Sequence, residues 1–178
     1  MIPKAVDAIN LEDLHRLRDN QVAEGKTIEY KRELPGSGDA DRIKFLRAVS
    51  SMANTAGGDV LYGVEETNGV PTGFPGADVP DWDGLKLRLE SSLRDNLQPR
   101  LREVHFKLVP VDEGRFVVVI RTLRSWSGPH RVSLGVNAHF YGRNSVGGYP
   151  MDTDQLRTAF TETMLLEERI RRFRSERL

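Results

Sequence analysis

Glu29 and Lys31 stand two apart in Thr27–Leu34, where Ile28, Tyr30 and Leu34 alternate with Glu29, Lys31 and Glu33. That alternation predicts a strand with one polar face, and residues two apart leave the same side of a sheet. Glu24 lies close enough in sequence to approach that face. Carboxylates beside a lysine are what metal-dependent phosphodiester cleavage uses. The acids hold a hard cation such as Mg²⁺ or Mn²⁺, and the lysine steadies an attacking water or the charge developing on phosphorus. Glu65 and Glu66, at the end of the next predicted strand, offer a third carboxylate. Each of these residues also reads as an ordinary solvated strand face or turn, and Glu-x-Lys alone does not choose between the two.

Two phosphate-binding patterns fail. Gly25-Lys26-Thr27 resembles the end of a P-loop, but the first glycine would fall at Asn20 and the segment leads into a strand. No ATP site is expected. Gly57-Gly58 follows a predicted helix and reads first as its cap. The segment Arg121–Arg131 interleaves Arg121, Arg124 and Arg131 with Trp126 and His130. That mixture suits a phosphate backbone and an unstacked base, or equally an exposed loop with its Trp pinned on the core. His15, His105, His130 and His139 lack metal-ligand spacing and the chain has no Cys, so neither zinc nor a disulfide is expected. No Gly-x-Ser-x-Gly elbow supports acyl transfer.

The elements that must position these groups follow from spacing. Asn10 and Asp13 start a short helix with Leu11, Leu14 and Leu17, ending near Asn20. Ile43, Leu46, Val49 and Ala53 trace one face of a second helix, stopping at Gly57-Gly58. Val60–Val64 reads as a buried strand, and Asn68-Gly69 as a hairpin turn. Asp81 starts a helix carrying Leu85, Leu89 and Leu93. Val104–Val111 and Arg115–Thr122 form a second hairpin, and Ala138–Gly142 a short strand. Asp152 and Gln155 make a capping box for a helix with Leu156, Ala159 and Phe160. A final amphipathic helix follows, with Arg169, Arg171, Arg172, Arg174 and Arg177 outward, as a basic surface, a docking or dimer helix, or a linker. Strands and helices mix without regular alternation, so the class is α+β, a mixed sheet with packed helices.

The 178 residues suit one domain, divided here into an N-terminal helix (1–20), a body (21–165) and a basic C-terminal helix (166–178). No apolar run is long enough to span a bilayer and no signal segment follows Met1, so a cytoplasmic protein without membrane contact is the simplest expectation. Lys and Arg number 26 against 26 Asp and Glu. Proteins held on nucleic acid by many phosphates are usually basic, so binding here must come from a local patch.

Three blocks together resemble Schlafen AlbA-type domains over roughly residues 20 to 165. Glu24-Gly-Lys-Thr-Ile-Glu29-Tyr-Lys31 is similar to the opening acid-x-x-x-x-Glu-aromatic-Lys motif. Ala53-Asn-Thr-Ala-Gly-Gly58 with Val60-Leu-Tyr-Gly-Val64 is similar to the most recognisable segment. Phe140-Tyr-Gly-Arg-Asn-Ser145 is similar to the closing strand and arginine. The resemblance implies a sheet fold related to nucleic-acid-binding Alba proteins. It also implies kinship with endoribonucleases that cut tRNA and other structured RNA with a divalent metal and three acids, in some settings in phage defence. Those acids map onto Glu24, Glu29 and Glu66, with Glu65 as the alternate; Asp is usual at the third place. Lys31, Arg32, Arg124, Arg131 and Arg143 would contact phosphates of RNA or DNA. A single lobe implies a homodimer where two lobes cradle RNA. Many relatives carry this domain fused to other modules, so a non-catalytic nucleic-acid-binding module is the alternative.

Overall fold

The computed structural model describes residues 1–176, the side chain of Glu167 apart; Arg177 lies outside the described residues. After a 3₁₀ turn at Val6–Ala8, α1 (Leu11–Asp19) opens on Asn10, whose side chain accepts from Asp13 N while Asp13 accepts from Asn10 N. The chain then forms β1 (Ile28–Lys31), α2 (Asp39–Ala53) and β2 (Gly58–Tyr62). A hairpin of β3 (Glu65–Thr67) and β4 (Val70–Gly73) follows, turning at Asn68 (φ 54°) and Gly69 (φ 78°), as the Asn-Gly pair predicts. Next come β5 (Ala77–Asp78), α3 (Trp82–Asn96), β6 (Leu97–Gln98), β7 (Val104–Asp112) and β8 (Arg115–Thr122). The chain ends with β9 (Arg131–Leu134), β10 (Asn137–Arg143), β11 (Gly148–Pro150) and α4 (Thr153–Ser175).

The class is α+β, as expected. β1 and β2 are parallel, joined by α2 as crossover; β2 pairs antiparallel with β8, and β8 with β5 and β7. A second, antiparallel sheet runs β11-β10-β9-β6. α2 lies between the two sheets, so its sides are all needed: every residue from Phe45 to Ala53 is buried except Arg47. Phe45, Val49 and Met52 pack with Val60, Tyr62 and Ile120 of the first sheet and with Val132 and Tyr141 of the second. On the opposite face of the first sheet, Ile2, Ile9, Leu14 and Leu17 pack on Tyr30, Leu61, Val117 and Val119. The segment 1–20 is thus bound into the body by one of its two cores.

Two polar anchors hold this arrangement. Asp59 and Arg121, opposite each other on β2 and β8, are both buried and form a bidentate pair at 2.6 and 2.8 Å. Asp59 also accepts from Ile2 N at 2.7 Å, and Arg121 donates to Ile2 O at 2.8 Å and to Lys4 O. The pair therefore ties the N-terminal segment to the sheet. Asn54, just past α2, donates to the carbonyls of His130 (3.0 Å) and Tyr141 (2.9 Å) and accepts from His130 N (2.7 Å), stitching the second sheet to the helix end. Gly57 (φ 74°) and Gly58 complete the turn. A Cβ on Gly57 would lie 2.9 Å from Thr122 O, and one on Gly58 2.8 Å from Thr27 O.

Several expectations change. Arg121 and His130, expected in a segment that suits either a phosphate backbone or a plain exposed loop, are interior residues: the strand β8 carries Arg121 inward to Asp59, and His130 is fully buried. Arg131, expected at the end of a loop segment, opens β9 (131–134), because polar Arg131 and Ser133 alternate with apolar Val132 and Leu134 on a half-buried sheet. The two expected C-terminal helices are one 23-residue helix, since no Gly or Pro interrupts 153–175. Its capping box of Asp152 and Gln155 is present.

Removing one partner of the buried pair leaves an uncompensated charge, so Arg121→Ala should cost about 3–5 kcal/mol in urea unfolding. The second test concerns His130. Its Nδ1 is 2.6 Å from Pro99 O and must carry the proton, while Nε2 is buried without a partner among the described residues. Burial holds its pKa below the ordinary value, the Pro99 carbonyl opposing only in part. The unfolded chain therefore binds the extra proton more readily, and stability is lost as pH falls below about 6.5. Denaturation midpoints measured at pH 7.5 and 5.5 should show that loss, and His130→Gln should flatten it.

Candidate nucleic-acid cleft

Because β1 and β2 run parallel in register, Glu29 lies beside Val60 and Lys31 beside Tyr62, all on the face that looks toward α2. At the end of this face α2 and the β10–β11 connection wall off a cleft of about 600 Å³. Glu29 and Lys31 line it, as the alternation of Thr27–Leu34 predicts, and Glu24 joins them, as its closeness in sequence suggests. Arg32 and Arg143 line it too, together with Lys44 and Arg47 from the outer side of α2.

The charges are closely interlocked. Lys31 Nζ is 2.8 Å from Glu29 Oε1 and 3.9 Å from Glu24 Oε1. The other Glu29 oxygen accepts from Arg143, whose guanidinium also donates to Gly25 O (2.8 Å) and Ile28 O (3.3 Å). Burial would raise the Glu29 pKa, but the Lys31 and Arg143 cations more than offset it and hold the carboxyl below its ordinary range. Glu24 Oε1 accepts from Tyr30 N at 2.6 Å, which closes the turn leading into β1.

The remaining predicted residues divide. Arg143 is not a surface phosphate contact: its side chain is 2% exposed, because β10 delivers it into the joint between the sheets. Arg32 is half exposed and donates to Glu65 at 3.1 Å. Glu66 accepts from Gly69 N across the β3–β4 turn, and both Glu65 and Glu66 are exposed and outside the cleft lining. Arg124 lies over the Trp126 ring at 5.3 Å and pairs with Glu162 of α4, while Arg131 donates to Gln98 and Ser133. Arg124 and Trp126 line a separate cleft of about 260 Å³ against α4 that shares no residue with the first.

A three-carboxylate metal centre does not fit this arrangement. Glu29 has both oxygens engaged by cations and Glu66 is turned to Gly69. Among the described residues no three His, Asp or Glu side chains gather as a metal-binding set. What the cleft offers is accessible cations among acids. Glu24, Glu29, Glu33 and Asp41 line it too, but Lys31 and Arg32 are about half exposed, Lys44 is 77% exposed while pairing with Asp41 at 3.2 Å, and Arg47 is exposed, donating to Gly148 O and lying over the Tyr141 ring. The apolar stripe of α2, the signal that predicts the helix, leaves Lys44 and Arg47 out. Their three-residue spacing, which places both on one helix face, was the available signal. Tyr62 also lines the cleft, and no sequence signal separates it from the core residues around it.

The chain is similar to several known proteins. The family described as Schlafen, AlbA_2 matches residues 24–151. Among solved structures, the N-terminal domain of an ATP-dependent DNA helicase RecG-related protein from Nitrosomonas europaea is 22% identical, with a TM-score of 0.50, over 78% of this chain and 90% of that one. The DIP2311 protein from Corynebacterium diphtheriae is 18% identical, with a TM-score of 0.47, over 78% of this chain; the chain spans 26% of its length. No curated protein matches. No helix among the described residues is long and apolar enough to cross a membrane. The family match begins at Glu24, runs through the Asn54 block and Arg143, and covers well over half of the sequence: this chain belongs to the Schlafen, AlbA_2 family.

Proposed function

We propose that this domain binds nucleic acid, with its phosphates held at the mouth of the cleft between β1 and α2. The observation that carries this reading is the convergence of Lys31, Arg32, Lys44 and Arg47, from β1 and the turn after it and from α2, on one concave site whose acids, Glu24, Glu29, Glu33 and Asp41, they match in number, in a chain of zero net charge. A local cation group of this kind supplies what a neutral protein otherwise lacks for a polyanion. Arg143 contributes by holding Glu29, which in turn holds Lys31 at the cleft wall.

A second reading is a Mg²⁺- or Mn²⁺-dependent endoribonuclease acting on structured RNA such as tRNA. Its support is that Glu24, Glu29 and Lys31 do share the cleft. It requires Glu29 to leave Arg143 and the third acid, Glu66 or Glu65, to swing toward the cleft, so recognition without cleavage is the reading the geometry favours.

Binding of labelled tRNA and of single-stranded DNA should be measurable at about 50 mM salt and weaken steeply on salt addition. The Lys31→Ala/Arg47→Ala variant should bind about tenfold more weakly, with a salt slope shallower by about one to two. Equal affinity and slope in the variant would refute the proposed site. Cleavage is tested with tRNA in Mn²⁺, Mg²⁺ and EDTA. Glu24→Ala is the diagnostic variant: loss of metal-dependent cutting there would establish the second reading, and intact tRNA throughout would dismiss it. Glu29→Ala is a poor diagnostic, because it strands the buried Arg143 and should cost about 3 kcal/mol of stability in urea unfolding.

A further inference from the structure

Tyr62 sits at the floor of the cleft, 4% exposed and next to Lys31 across the β1–β2 pair. Its hydroxyl is not sealed inside the protein, yet it has no hydrogen-bond partner among the described residues. Buried phenols ordinarily find one. Burial and the nearby Glu29 raise its pKa, so the group is a neutral O–H, able to donate and accept. Around it the floor is apolar, made by Leu34 and Phe45. The cations stand at the mouth.

This division is poorly matched to phosphate alone. Glu24 and Glu29 line the same wall, so a phosphate pushed inward meets carboxylates, whereas an aromatic base meets apolar side chains and one hydroxyl. A volume of about 600 Å³ is that of a small-ligand site. Base pairing and stacking keep the bases of a duplex from entering such a cavity, while a single strand can turn one outward.

We infer that the cleft takes one unpaired nucleotide of a single strand: its base lies over Leu34 and Phe45 with an edge atom on the Tyr62 hydroxyl, and its phosphate is at Lys31 and Arg47. This rests on the nucleic-acid-binding reading and narrows it to single strands, loops or frayed ends of RNA or DNA.

The test is fluorescence anisotropy of the full chain with labelled 12-nucleotide RNA and DNA single strands and with duplexes of the same sequence. Single strands should bind about tenfold more tightly than duplexes, as base stacking adds to the phosphate contacts. Tyr62→Phe, which keeps the packing, should weaken single-strand binding about fivefold, the loss of one hydrogen bond, and leave duplex binding unchanged. Adenosine monophosphate should displace the single strand, and inorganic phosphate at equal ionic strength should not. The competition needs no variant and so stands even if Tyr62→Phe unfolds. Preference for RNA or for DNA identifies which strand is the source. Equal binding of single strand and duplex, or phosphate competing as well as the nucleotide, overturns this inference and leaves the broader reading intact. Absence of binding to any nucleic acid at low salt overturns both.

Discussion

The Arg143 guanidinium is the joint on which the cleft depends. It starts on the second sheet and ends on the first, donating to two backbone carbonyls around β1 and to Glu29, while its own amide donates to Thr55 Oγ1. A buried guanidinium with this many acceptors fixes direction as well as distance, because its donors form a rigid planar fork. Turn Gly25, strand β1, the end of α2 and strand β10 are therefore located relative to one another by a single side chain. Arg143 also lines the cleft, so the joint forms part of its wall.

The same joint gives Glu29 two meanings. A carboxylate beside a lysine in a cleft has the composition of a catalytic group, but this one is held ionised by two cations and completes an interior ion pair. Its position explains how a residue set that suits cleavage chemistry can equally serve architecture. Only Glu24, whose carboxylate touches a backbone amide and lies at the edge of Lys31's reach, stays comparatively unencumbered.

Much of the fold was legible. Caps at Asn10, Asp81 and Asp152, the Asn68-Gly69 turn and the alternation through Glu29 and Lys31 are local signals, and each element they announced is present. What escaped depends on contacts distant in sequence. Arg121 looks like any loop-flanking arginine until β2 places Asp59 opposite it. Arg143 looks like a phosphate ligand until the sheets meet, and β9 is too short and mixed to announce itself. In the site, Glu29 and Lys31 follow from strand alternation, Glu24 from its closeness in sequence, and Arg32 only from the family resemblance. Lys44, Arg47 and Tyr62 belong to it through the α2 crossover and the β1–β2 register, which a single sequence does not reveal.

The most recognisable block of the chain, Ala53 to Gly58, contributes no side chain to the lining of the first cleft. Asn54 uses all its contacts to fasten β9 and β10, Thr55 steadies the Arg143 backbone, and the two glycines let neighbouring strands approach where a methyl group would collide. A sequence search led by that block therefore selects chains that close two sheets around a central helix. It would retrieve a binding module and a nuclease with equal ease, and sorting one from the other falls to the few side chains on the rim that differ freely without disturbing the closure.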